Sequence, residues 1–156
     1  MKLQEELHRP IPFAGPQQEV LLNLLRVGDQ IDNRLSRLFR QHGLTLSRYN
    51  VLRNLEMADR PLTCGEIAQR MIQVVPAITS LVDQLEKGGL VERQRCDQDR
   101  RVVHVRITGA GKKMTATVKT PLYELEKRMM KGLSRSDLKT LTELLNQTRA
   151  SLANSD

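Results

Sequence analysis

The chain has 156 residues, 39% of them hydrophobic and 28% charged, and 25 Lys and Arg against 18 Asp and Glu give a formal net charge of +7. That balance fits one soluble globular domain over residues 1–156 and points to a polyanionic partner. It argues against a membrane span, because no run is long and apolar enough; against a disulfide scaffold, because there are two cysteines; and against a base-stacking platform for single strands, because there are two Tyr, two Phe and no Trp.

Residues 1–15, with Pro10, Pro12 and Gly15, read either as an arm that packs on a partner subunit or as a partly ordered tail. Pro16 opens a long helix reaching about His42. Val20, Leu21, Leu24, Leu25, Val27, Ile31, Leu35 and Leu38 form its apolar stripe, and Gly43 ends it. A helix this long carries more apolar surface than a small monomer easily covers. Thr45 or Ser47 caps a second helix, which carries Tyr49, Val51, Leu52, Leu55 and Met57 and stops at Arg60-Pro61.

The next stretch organises the chain. Thr63 is a candidate N-cap with Glu66 three residues on, the spacing of a capping box, and Ile67, Ala68 and Met71 follow at helical intervals. After a turn, Pro76 suits the start of a further helix. Ile78, Leu81, Val82 and Leu85 line one side of that helix, with Thr79, Ser80 and Asp83 opposite, and Gly88-Gly89 stops it. Leu90-Val91 and Val102-Val103-His104-Val105 read as short strands around a polar loop. Helix, turn, helix and hairpin in this order form a winged helix-turn-helix, spanning 45–108.

A fifth helix starts at Thr108 or Gly109, and Pro121 is expected to kink or restart it. Ser134, with Asp137 at the N3 position, caps a last helix lined by Leu138, Leu141, Leu144, Leu145 and Leu152. The fold class is therefore mostly α with a small β wing (α+β). The helices at 16–43 and 109–153 find no partner inside the reading module, so their stripes predict a two-fold homodimer.

The run Leu81-Val82-Asp83-Gln84-Leu85-Glu86-Lys87-Gly88-Gly89-Leu90-Val91-Glu92-Arg93, the triplet Asp99-Arg100-Arg101 and the ending Arg106-Ile107-Thr108 resemble the multiple antibiotic resistance regulator (MarR) family of winged-helix repressors. The segment Leu44-Thr45-Leu46-Ser47-Arg48-Tyr49-Asn50-Val51-Leu52 resembles that family's entry to its second helix. The resemblance implies a dimer built by the terminal helices, and two-fold symmetry then faces a palindromic operator in duplex DNA. With no apolar span, no hydrophobic signal centre and no disulfide framework, a cytoplasmic address is the expectation. It also implies that Asp99 shapes the wing through Arg101 or Arg100. Relatives often bind small aromatic or phenolic acids between the dimer helices and the DNA module, which places His42, Tyr49, Arg53 and Met57 as effector-pocket candidates. The chain departs from the family pattern at Ile72 and Val74, where members often carry a small or polar residue and a serine.

The reading helix is expected to present Val75, Pro76, Ala77, Thr79, Ser80, Asp83 and Gln84. Thr79 and Ser80 suit base edges or phosphates, Ala77 and the Thr79 methyl suit thymine methyls, and Gln84 and Lys87 suit the backbone. Arg93, Arg95, Arg100 and Arg101 are the wing candidates, because arginine fits a narrow, electronegative minor groove. No cofactor or metal is implied: His8, His42 and His104 are singletons, and none forms a spaced pair with a cysteine or carboxylate on an expected helix. No nucleophile–base or phosphate-loop pattern suggests an enzyme. The leading function is a dimeric operator-binding repressor released by a small effector. The alternatives are an activator or architectural binder without a ligand, a redox sensor acting through Cys64 or Cys96, and a winged helix reused to bind protein.

Overall fold

The computed structural model describes residues 2–95 and 101–154. Its contacts divide the chain into two units, Met1–Pro121 and Leu122–Asp156. The first holds α1 (Leu3–Glu6), α2 (Pro16–Gln41), α3 (Leu46–Ala58), β1 (Leu62–Thr63), α4 (Cys64–Gln69), α5 (Ile78–Lys87), β2 (Val91–Arg95), β3 (Val103–Ile107) and the opening of α6 (Gly109–Met129). The second holds the end of α6 and α7 (Arg135–Ala153).

The N-terminal arm packs on its own chain. Leu3 is buried, and Glu6 pairs with Arg26 of α2 at 2.6 Å. Thr45, rather than Ser47, caps α3, its hydroxyl accepting from the Arg48 amide at 3.2 Å. Asp59 then leaves that helix at φ 50°, a left-handed position that a short polar side chain tolerates.

The three strands form an antiparallel sheet in the order β1-β3-β2. Sequence periodicity does not reveal β1: two residues are too short to show alternation. It is defined by pairing, Leu62 with Val105 and Thr63 with His104. Across the hairpin Val91 pairs with Ile107, Arg93 with Val105 and Arg95 with Val103. Leu62, Val91, Val105 and Ile107 are buried, and with Leu52, Leu55, Ile67, Ile78, Val82 and Leu85 they contribute to an aliphatic core. Phe39 and Tyr49 stack beside one another, with ring centroids 4.8 Å apart.

The end of α5 fixes where the hairpin leaves. Gly89 takes φ +68°, and the amides of Gly89 and Leu90 donate to the carbonyls of Glu86 and Leu85 at 2.8 and 2.9 Å. This is a Schellman stop, which glycine permits at no steric cost. Thr108 then locks α6 in place: its hydroxyl donates to the Gly89 carbonyl at 2.7 Å and accepts from the Gly111 amide at 3.1 Å.

In the second unit Ser134 caps α7 as the spacing predicts, accepting from the Asp137 amide at 3.2 Å, while Asp137 accepts from the Ser134 amide at 2.9 Å. The α6 span runs through Pro121 without the interruption that a restart requires. Two apolar faces stay open in this single chain. Val20, Leu21, Leu25 and Val27 are exposed on α2, and Leu141, Leu144, Leu145 and Leu152 on α7.

Candidate nucleic-acid interface

Three of the residues expected on the reading helix, Val75, Pro76 and Ala77, lie before it. Sequence reasoning starts that helix at Pro76, whereas α5 starts at Ile78 with Ala77 as its N-cap and no capping side chain. Val75 precedes a proline, which biases it towards extended backbone and delays the first helical turn. Pro76 and Ala77 therefore stand in the turn before α5.

Ile78, Val82 and Leu85 anchor α5 in the core, leaving Thr79, Ser80, Gln84 and Lys87 exposed on the other side. The turn adds an apolar lip, with Ile72 80% and Val74 98% exposed, while Val75 is half-buried.

Asp83 and Arg93 lie together rather than facing outward as separate contacts. Arg93 Nη2 lies 2.6 Å from Asp83 Oδ1, and Nη1 lies 2.5 Å from Glu86 Oε2. The Arg93 backbone amide donates to Glu86 Oε1 at 3.0 Å, and Nη2 reaches the Thr79 carbonyl at 3.4 Å. One arginine of β2 thus holds successive turns of α5. Partial burial opposes its charge, but the hydrogen bonds it donates to Glu86 and then to Asp83 outweigh that and raise its pKa above the ordinary value. Asp83 and Glu86, which alone would repel phosphates, are partly offset by this cation.

A second link joins α3 to α5. Arg48 Nε donates to Gln84 Oε1 at 3.0 Å, and Nη2 of the same guanidinium donates to the same oxygen. Sequence reasoning missed Arg48 and Glu86. Arg48 lies 36 residues before Gln84, and no local pattern announces so distant a pair.

The preceding helix is fixed as its capping box predicts. Thr63 Oγ1 accepts from the Glu66 amide at 3.2 Å, and Glu66 Oε2 accepts from the Thr63 amide at 2.8 Å. Arg60 lies 2.6 Å from the other Glu66 oxygen. The Arg60 hydrogen bond, followed by that from the Thr63 backbone, holds the Glu66 carboxyl down at about 2.

In the wing, Arg95 and Arg101 are exposed at the two ends of the β2–β3 connection, whereas Cys96, Asp99 and Arg100 lie outside the described residues. Cys64 is half-buried at the start of α4. The four effector-pocket candidates are placed differently from one another. Tyr49 is buried against Phe39, Arg53 pairs with Glu56 at 2.9 Å, and His42 forms the end of α2. Met57 lines an open cavity of about 400 Å³ with Asn54, Ala58, Arg60 and Arg70. Among the described residues, no group of three or more His, Cys, Asp or Glu is placed to hold a metal ion, and no helix is long and apolar enough to cross a membrane.

A helix-turn-helix made by α4 and α5, followed at once by an antiparallel hairpin on the same sheet, defines a winged helix-turn-helix protein. Comparison with known proteins agrees. The model of the MarR family matches residues 42–102. The chain is 34% identical over 119 residues to the HTH-type transcriptional regulator PapX of Escherichia coli, covering 72% of this chain and 73% of that one. A MarR transcription factor from Planctomyces limnophilus is 32% identical, with a TM-score of 0.68 over 87% of this chain and 99% of its own. A mutant MarR from E. coli, solved in complex with operator DNA, is 22% identical and shares the fold, with a TM-score of 0.74 over 95% of this chain and 99% of that one. The chain belongs to the MarR family of DNA-binding transcriptional regulators.

Proposed function

We propose that this regulator is a homodimeric repressor that seats two copies of α5 in successive major grooves of a palindromic operator. The observation that carries this reading is the brace on α5. A short helix with Thr79, Ser80, Gln84 and Lys87 outward is held by Arg93 and capped by a fixed glycine stop, so its outer face is presented rigidly. Arg95 and Arg101 supply positive charge at the two ends of the β2–β3 connection. The exposed leucines and valines of α2 and, separately, the exposed leucines of α7 support dimerisation, since large apolar side chains left open in this way suit an association surface. Two-fold symmetry sets the reading helices about 34–36 Å apart, one DNA turn.

Release by a small aromatic or phenolic acid is the second part of the proposal. The cavity beside Met57 is within the size range of small-ligand sites, and Arg60 and Arg70 on its wall suit a carboxylate or phenolate. A ligand there sits behind α4 and changes the spacing of the two heads, a population shift between dimer shapes. Genomic fragments bound by the purified protein, followed by retardation assays with phenolic acids, test both parts. Retention of one inverted-repeat fragment and its release by ligand are expected; failure to retard any fragment contradicts the first part, and indifference to every acid contradicts the second.

A further inference from the structure

The geometry points to a donor-only phosphate clamp, formed by Arg48 and Gln84 at the edge of the reading helix. Arginine has no acceptor, so the Gln84 amide must turn its oxygen to the guanidinium. Two N–H groups of Arg48, from Nε and Nη2, converge on that oxygen and occupy both its lone pairs. Gln84 is left with its NH2 group, which has two donors and no acceptor, on an exposed part of α5.

That changes what Gln84 recognises. Glutamine reads adenine by accepting from N6 and donating to N7 together. With its acceptor spent, Gln84 cannot make that pair. The remaining donors of Arg48 and Gln84 suit a group that only accepts, and the DNA backbone offers one in every phosphate. The charge is also uncompensated: among the described residues no carboxylate pairs with Arg48. Arg48 moreover stands in the first turn of α3, which has no acidic residue there, so its cation opposes the helix dipole until an anion arrives. The pair thus fixes the register of α5 on the duplex and carries no sequence preference of its own.

This inference rests on the DNA-binding mode proposed above, and the test separates the two. Operator affinity is measured against salt for the full-length protein and for Arg48→Ala, Gln84→Ala, the double variant and Arg48→Lys, with a randomised operator selection for each. Arg48→Ala is expected to lose about tenfold in affinity. It is also expected to lower the salt slope by about 1, without changing the selected sequence. Gln84→Ala should weaken binding as well, and the double variant should lose less than the product of the two singles, because each side chain holds the other. Arg48→Lys should recover part of the salt slope. Unchanged thermal midpoints exclude misfolding as the cause. If Arg48→Ala binds like the natural protein, or shifts the selected base at one position, the clamp is wrong while the reading helix stands. If the natural protein retards no operator, the proposed function itself fails.

Discussion

The guanidinium of Arg93 on β2 reaches the carboxylate of Asp83 on α5 at 2.6 Å, so the strand that begins the wing and the helix that precedes it share one ion-pair network. Glu86 extends that network through both its oxygens. Arg93→Ala is expected to cost only about 1 kcal/mol in urea unfolding, because the two carboxylates remain partly solvated. DNA binding should suffer more, since α5 loses its brace and Asp83 and Glu86 recover their repulsion. Arg93→Lys keeps the charge but cannot fork to two carboxylates, so it should rescue operator affinity only in part. Full affinity in Arg93→Ala would show that the brace is dispensable.

Glu66 gives α4 an acid-sensitive tie. Its carboxyl is held at about 2 in the folded chain against an ordinary 4.5, through Arg60 first and the Thr63 amide second. A depressed carboxyl contributes stability above its unfolded pKa and loses it as pH falls towards the folded value. The stability gap between the natural protein and Glu66→Gln should therefore be full above about pH 5 and close on the way to about pH 2. Unfolding curves and amide exchange across α4 measure it. A gap that is constant over that range would mean Glu66 is not linked to folding.

How far the sequence carries can be judged from single residues. Periodic stripes, the capping residues Thr63 and Ser134 and the Gly88-Gly89 stop were legible because each acts over three or four positions in the chain. The start of α5 is displaced from the sequence expectation because Pro76 is as compatible with a turn as with a first helical turn. Strand β1 was invisible for want of length. The Arg93–Asp83 and Arg48–Gln84 pairs were invisible for a different reason: folding brings together residues whose spacing follows no local period. Reading Asp83 and Arg93 as separate outward contacts was the natural result of seeing only a helical face and a charged hairpin.

Gly111 is a position where no side chain fits. A Cβ there meets the Leu90 carbonyl oxygen at 2.2 Å and Ile107 Cγ1 at 2.6 Å, and the first of these is backbone. Gly111→Ala should destabilise the chain by about 1–3 kcal/mol, lowering the thermal midpoint by several degrees despite alanine's better helix propensity. A midpoint equal to or above that of the natural protein would show that α6 does not lie this close to Leu90.

The open leucines predict their own test. Leu25 on α2 is 62% exposed and Leu144 on α7 54%. Placing aspartate at either should convert a dimer to a monomer in sedimentation equilibrium, with helical content retained and operator binding lost. A dimer that survives both substitutions would place the interface elsewhere.

Hydroxyl-radical footprinting of the purified protein on a fragment selected from the genome tests the central claim most directly. Two protected patches about one helical turn apart, related by an inverted repeat and weakening steeply as salt rises, are predicted. A single patch bound by a monomer, or protection indifferent to salt, would contradict a symmetric pair of reading helices held to DNA through its phosphates.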